Sequence, residues 1–259
     1  MSIIGQNKLQ QKISTLSLDN FNHTNLFVGP SGCGKHFFAN IIAEKLNLEY
    51  VDITKKLNID DLNALCCSSI LYLCVIDVDC ISIKDQNTIL KFIEEPQRNI
   101  FIVLLSENIN NVIMTIQNRC YKVFFETYTK EQLSLFNTNN INEYYYSVLD
   151  TPGKIINTTN EQVEETFSLC KKMIDKFDKA NFSNLLSIAD KINYDSAENT
   201  NIELFVDFLL FAVKEKIKDS DDVLYFDIYK KISDLSNKLK NKTINKKYAV
   251  INFLSSLRL

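Results

Sequence analysis

Asn25-Leu26-Phe27-Val28-Gly29-Pro30-Ser31-Gly32-Cys33-Gly34-Lys35-His36-Phe37-Phe38-Ala39-Asn40-Ile41-Ile42-Ala43-Glu44-Lys45-Leu46 is the stretch that decides the fold. Its first four residues read as a short buried strand. Its end reads as a helix, with Phe38, Ile41, Ile42 and Leu46 at helical spacing. Between them lies a glycine loop. Strand, glycine loop and helix in that order let backbone N–H groups turn inward around a phosphate, and the helix N-terminus adds partial positive charge. Lys35 stands where a lysine reaches the β- and γ-phosphates. The chain has five glycines and three prolines, and Gly29, Pro30, Gly32 and Gly34 all fall here. Its unusual backbone conformations are concentrated at one point.

The pattern G-x-x-x-x-G-K-[ST] is met at Gly29, Gly34 and Lys35 and fails at its last position, where His36 replaces the hydroxyl that ligates Mg²⁺. A neutral imidazole is a poor ligand for a hard octahedral cation, and a protonated one repels it. The loop therefore argues more strongly for a fold than for ATP turnover. The alternative is a loop that keeps its shape without nucleotide.

Working outward, Ile70-Leu71-Tyr72-Leu73-Cys74-Val75-Ile76 is a continuous apolar run, as in a strand buried on both faces of a parallel sheet. It ends in Asp77-Val78-Asp79. An Asp at that point holds the Mg²⁺ shell in P-loop ATPases. Asp79 is one residue late for a water-polarising carboxylate, and only an irregular turn brings it to that role. Gln86 to Glu95 reads as a helix that stops before Pro96. Asn99 to Leu105 is another buried strand, Met114 to Cys120 closes a helix or turn, and Tyr121 to Phe125 is a final strand. Strands alternating with helices predict an open α/β sheet with crossovers.

The remainder is helical in pattern. Glu131 to Phe136 and Ile141 to Leu149 are short helical stretches, and Pro152-Gly153 turns the chain into the next piece. Tyr144, Tyr145 and Tyr146 read as packing residues, with base stacking as the alternative. From Glu161 onward there is no Gly or Pro. Apolar residues recur at helical spacing through Phe167, Cys170, Ile174 and Phe177, through Leu204 to Ile217, through Tyr225 to Leu235 and through Ala249 to Leu257. This predicts four or five amphipathic helices in an all-α domain. Lys238 to Lys247 reads as a solvated face, with contact to DNA or an acidic partner as the alternative.

Length and charge bound the possibilities. At 259 residues the chain suits one large or two to three small domains, at about 150 residues each. A net charge of −3 excludes a protein that coats nucleic acid by bulk charge. The only arginines are Arg98, Arg119 and Arg258, so an arginine here marks a duty that lysine does not meet. The 7 cysteines include no C-x-x-C pair and the chain has 2 histidines, so no zinc is expected and the thiols read as reduced and largely buried. No signal peptide is visible at Met-Ser-Ile-Ile-Gly-Gln, and no apolar run reaches the ~20 residues that span a bilayer. The expected setting is the cytoplasm, with no membrane partner.

Taken together, these segments resemble a clamp-loader subunit of the AAA+ class. Ile4-Gly5-Gln6 is similar to that family's opening I-G-Q, and His23 to Leu46 to its P-loop region. Asn87 to Pro96 is similar to its N-A-L-L-K-x-L-E-E-P helix, and Asn118-Arg119-Cys120 to its S-R-C triplet. Asp150-Thr151-Pro152-Gly153-Lys154 is similar to the G-S-P-G-x-A turn of many delta-prime subunits of the bacterial DNA polymerase III clamp loader. The match covers roughly residues 1–160. The chain departs from hydrolysing members at His36, at Val78 in place of a catalytic Glu, at Ser106-Glu107-Asn108 in place of the sensor Thr, and at Gly153 in place of the second sensor Arg. The four-cysteine zinc module of many bacterial relatives is absent, and the compact length suits a phage- or organelle-type version.

The resemblance implies an α/β P-loop AAA+ core over residues 1–126, a small helical lid over 127–160 and an all-α collar over 161–259. It implies nucleotide contact by Gly29, Pro30, Ser31, Gly32, Cys33, Gly34, Lys35 and His36, with Ser106 and Lys154 beside the phosphates and Asp77 toward Mg²⁺. ATP with Mg²⁺ would be held weakly or only vestigially. Arg119 would project into a neighbouring subunit's ATP site, a role worth about 10³–10⁵-fold in arginine-finger systems. The implied partners are sister clamp-loader subunits in a hetero-pentamer, a sliding clamp, and primer-template DNA within the assembly. Two other readings stand: a competent clamp-loader ATPase in which His36 and Asp79 substitute, and an AAA+-derived adaptor outside replication.

Overall fold

The computed structural model describes residues 3–54, 64–177, 200–219, 223–239 and 245–257. Five parallel strands form one sheet in the order β2-β3-β4-β1-β5. They are β1 (Thr24–Val28), β2 (Glu49–Asp52), β3 (Tyr72–Asp77), β4 (Ile100–Ser106) and β5 (Tyr121–Phe124). The helices threaded among them are α1 (Asn7–Ser14), α2 (Lys35–Leu46), α3 (Ile83–Glu94) and the single turn α4 (Met114–Gln117).

The apolar runs are continuous because the sheet is covered on both faces. Phe27, Leu73, Val75, Phe101, Val103 and Leu105 point to one face and pack with Leu9 and Ile13 of α1 and Phe38, Ile42 and Leu46 of α2. Leu26, Cys74, Ile76, Ile102 and Leu104 point to the other and pack with Ile89, Phe92 and Ile93 of α3 and Ile116 of α4. Burying each such side chain contributes about 1.5–3 kcal/mol. Cys33, Cys74 and Cys170 are buried, and loss of hydration pushes the Cys74 thiol up to about 12. α3 starts at a capping box in which Ser82 and Asp85 satisfy each other's backbone N–H groups, and it ends one residue before Glu95-Pro96.

Among the described residues two compact units form. One holds the residues up to 137 together with 150–157, and the other holds 138–149 together with 158–259. The stretch expected as a lid therefore divides its contacts. α5 (Lys130–Ser134) and α6 (Pro152–Asn157) cluster with the sheet, while the 3₁₀ turn Glu143–Ser147 clusters with the C-terminal helices. Those helices are α7 (Asn160–Phe177), α8 (Thr200–Asp219), α9 (Val223–Leu239) and α10 (Lys246–Ser256). α8 packs on α7 and α9, and α9 on α10.

Tyr144 and Tyr145 belong to an aromatic cluster with Phe167, Phe208 and Phe211, at ring-centroid distances of 5.1–6.1 Å. Tyr145 and Tyr146 are buried, as a packing role requires, while Tyr144 touches the cluster with one side and keeps 46% of its surface exposed. Of the lysine-rich stretch 238–247, residues 240–244 lie outside the described residues, as does Arg258. Among the described residues no helix is long and apolar enough to cross a membrane.

Candidate functional site

β1 delivers the chain to Gly29 at the carboxyl end of the sheet, where the Gly29 N–H donates to the Ser106 carbonyl at 3.0 Å. This ties the loop to the end of β4. Gly32 and Gly34 adopt φ of +75° and +99°, the left-handed region that side chains avoid. The Lys35 ammonium donates to the carbonyls of Gly29 at 2.6 Å and Pro30 at 3.0 Å. It closes the loop on itself. His36 is exposed, and its Nδ1 lies 3.0 Å from the Tyr50 hydroxyl. Cys33 is fully buried, and burial pushes its thiol up. The Tyr128 hydroxyl donates to the Cys33 carbonyl at 3.0 Å.

The turn before α6 sits directly on this loop. The Gly153 N–H donates to the Gly32 carbonyl at 2.9 Å. A Cβ on Gly153 would fall 2.6 Å from the Gly32 Cα, and one on Gly32 would fall 2.8 Å from the Thr151 hydroxyl. Two glycines are the condition for this approach. The Thr151 hydroxyl itself is buried with no hydrogen-bond partner among the described residues. Lys154, one residue on, forms an ion pair with Asp150 at 3.1 Å.

The acidic motif is held by its own neighbours. Val78–Cys80 is a 3₁₀ turn capped by Asp77, whose Oδ1 accepts from the Asp79 N–H at 3.0 Å and whose Oδ2 accepts from the Cys80 thiol at 3.2 Å. The irregular turn required to re-aim Asp79 is thus present. Its result is a structural tie: Asp79 Oδ1 accepts from the Ser106 hydroxyl at 3.0 Å and from Asn111 Nδ2 at 2.7 Å. Asp79 Oδ2 accepts from the Glu107 N–H at 2.6 Å. Ser106 is fully buried, and its hydroxyl also lies 2.8 Å from the Asn108 carbonyl. Val78 is buried in the core.

Arg119 lies elsewhere. β5 pairs with β1 from Tyr121 opposite Asn25 to Phe124 opposite Val28. Arg119 therefore precedes the amino end of the sheet while Gly29 follows its carboxyl end, with the four residues of β5, about 13 Å of strand, between them. Its Nη2 pairs with Glu94 Oε1 at 2.8 Å, and its Nη1 donates to the Thr115 carbonyl at 3.0 Å. The side chain keeps 41% of its surface exposed.

The structure thus brings together the glycine loop, Asp77, Ser106 and the Gly153 turn, and sets Arg119 apart from them. It also gives residues contacts that the motifs did not show. Asp79 joins three elements, Tyr128 props the loop, and Glu94 holds Arg119. Gln6 locks the amino terminus by donating to the Glu126 carbonyl and accepting from its N–H, at 2.6 and 2.8 Å. Of these, Asp79, Glu94 and Gln6 stand within the motifs and Tyr128 outside them, and the partners of all four were not legible in the sequence. Among the described residues no three His, Cys, Asp or Glu side chains converge to hold a metal ion.

Residues 62–129 match the model of a family described as DNA polymerase III, delta subunit. That segment contains the acidic motif, α3 and Arg119, and leaves out the glycine loop. No curated protein matches the chain. Among solved structures, the chain is similar to a DNA polymerase III gamma subunit-related protein of Thermotoga maritima. The TM-score is 0.56 at 16% identity, over 96% of this chain and 98% of that one. The RuvB Holliday junction branch migration motor of Thermotoga maritima is similar at a TM-score of 0.47 and 20% identity, over 83% of this chain and 78% of that one. The fold is that of an AAA+ P-loop domain, a parallel five-stranded sheet flanked by helices, followed by C-terminal helices.

Proposed function

We propose that this chain is a clamp-loader subunit of the delta-prime type, which hydrolyses little or no ATP itself and supplies Arg119 to a neighbouring subunit's ATP site. The observation that carries the reading is the contrast between the two ends of one sheet. At the carboxyl end each group that would serve hydrolysis is replaced or already engaged. At the amino end a guanidinium stands exposed.

The residues at the loop do not fit a hydrolytic Mg²⁺–nucleotide site. His36 offers no hydroxyl, Val78 is a buried apolar side chain, and Asp79 spends both oxygens on Ser106, Glu107 and Asn111. The Lys35 ammonium is bound to loop carbonyls, and Gly153 rather than an arginine covers Gly32. No catalytic step is assigned to this end of the chain. The role of the loop is then to hold the core and the α6 turn together.

Arg119 has the chemistry that the other end requires. A planar, permanently charged fork of N–H donors matches the oxygens of a transferring phosphoryl group, and lysine does not reproduce that geometry. It lies across the sheet from its own loop, so only another chain's nucleotide can meet it. The family match over 62–129 supports a place in the replicative clamp-loader setting. In this reading residues 127–160 act as the lid and 161–259 as the collar through which sister subunits associate. The sliding clamp and primer-template DNA are the assembly's ligands. With a net charge of −3, DNA contact falls to backbone amides and a few lysines.

The test measures nucleotide binding and hydrolysis by the purified chain, alone and then mixed with the sister subunits encoded in the same genome. Silence alone, with turnover by the assembly that collapses in Arg119→Ala, is the expected result. Turnover by the isolated chain that disappears in Lys35→Ala would establish a competent ATPase instead. Failure to associate with sister subunits or a sliding clamp would favour an adaptor outside replication.

A further inference from the structure

We infer that Glu94 is a positioning residue for Arg119, fixing the plane of its guanidinium so that the open side of the fork faces an incoming phosphoryl group. The inference rests on the trans role proposed for Arg119 and names the group that sets its geometry.

Two helix ends build the arrangement. α3 terminates at Glu94 because Pro96 forbids its continuation, so the carboxylate stands at a fixed point on the last turn. α4 is a single turn, and the Arg119 N–H closes onto the Ile116 carbonyl at 3.0 Å, which fixes the backbone from which the arginine projects. The side chain is then held at both terminal nitrogens: Nη2 to Glu94 Oε1 at 2.8 Å and Nη1 to the Thr115 carbonyl at 3.0 Å. Two acceptors on different elements favour one orientation of the planar group about its long axis.

They also leave it unfinished. A guanidinium has five N–H donors, and these two contacts use one on each terminal nitrogen. The remaining donors belong to a side chain that is 41% exposed. Glu94 is 46% exposed, and a pair so open to water contributes little to folding. Its effect is therefore expected in orientation rather than in stability. Lysine at position 119 would give charge without a plane, whereas the arginine gives both.

The experiment uses the assembly reconstituted from the full chain and its sister subunits, with ATP hydrolysis followed against ATP concentration. Glu94→Ala is expected to lower kcat about tenfold with KM for ATP and the melting temperature unchanged, as misplacement of a catalytic group does. Glu94→Gln, which keeps an acceptor oxygen and the same shape, is expected to retain more activity than Glu94→Ala. Adding Glu94→Ala to Arg119→Ala is expected to cause no further loss, since there is then nothing to position. An unchanged or faster rate in Glu94→Ala, beside a defective Arg119→Ala, overturns this assignment and leaves the proposed function standing. So does an equal loss in Glu94→Gln and Glu94→Ala, which points to bulk charge, or a loss that persists in the Arg119→Ala background. An assembly indifferent to Arg119→Ala overturns both.

Discussion

The carboxylate of Asp79 accepts the buried hydroxyl of Ser106 at 3.0 Å, joining the turn after β3 to the end of β4. The same carboxylate takes the Glu107 N–H and the Asn111 amide. Asp79→Ala therefore removes the acceptor shared by the Ser106 hydroxyl, the Glu107 N–H and the Asn111 amide, although the Ser106 hydroxyl keeps the Asn108 carbonyl at 2.8 Å. It is expected to cost about 1–2 kcal/mol of stability, with Asp79→Asn costing less, measured by urea unfolding. An Asp79→Ala protein as stable as the parent would show that the network contributes nothing.

Gly153→Ala tests the contact between the α6 turn and the loop. Its methyl group would sit 2.6 Å from the Gly32 Cα, where backbone rather than a flexible side chain must give way. A loss of about 1–3 kcal/mol is expected, read as a lower melting temperature. The larger Gly153→Arg is expected to be worse. A neutral Gly153→Ala would mean that the turn is not seated on the loop in solution.

Lys35→Ala separates a structural lysine from a catalytic one. It removes the ammonium that gathers the Gly29 and Pro30 carbonyls, at a cost of about 1 kcal/mol. The assembled ring's ATP turnover is expected to survive this change while collapsing in Arg119→Ala. Equal collapse in both variants would return the loop to nucleotide chemistry.

Alkaline pH offers an independent handle on the C-terminal unit. Burial, and then the charge and hydrogen bonding of Glu164, push the Tyr145 phenol up to about 12 from 10.0. A raised folded value means stability that is complete below the unfolded value and is lost as pH climbs through the folded one. The unit is therefore expected to weaken between pH 10 and 12, followed by helical ellipticity. Tyr145→Phe is expected to flatten that limb, and an unchanged limb would place the loss on other groups.

The sheet was legible because its signals are local. Three glycines within one loop and apolar runs in β1, β3 and β4 need no knowledge of what they pack against. β2 escaped notice because Glu49 and Asp52 are exposed and the strand pairs on one side only. The motif spacing placed the loop and Asp77 at one end of the sheet and marked Arg119 as unusual among lysines. It did not reveal how Asp79 would be used, because its partners lie 27 to 32 positions away and only folding brings them near. The same holds for Glu94 with Arg119 and for Gly32 with Gly153. Pairing across elements is what a single chain read in order does not display.

The Gly32–Gly153 contact makes two distant positions interdependent. Two bare backbones packed against each other leave no room for a side chain at position 153 while the turn keeps its seat on the loop. Any side chain placed there must first move the turn, and moving the turn releases the Gly153 N–H from the Gly32 carbonyl. The loop and the turn therefore accept change together or not at all.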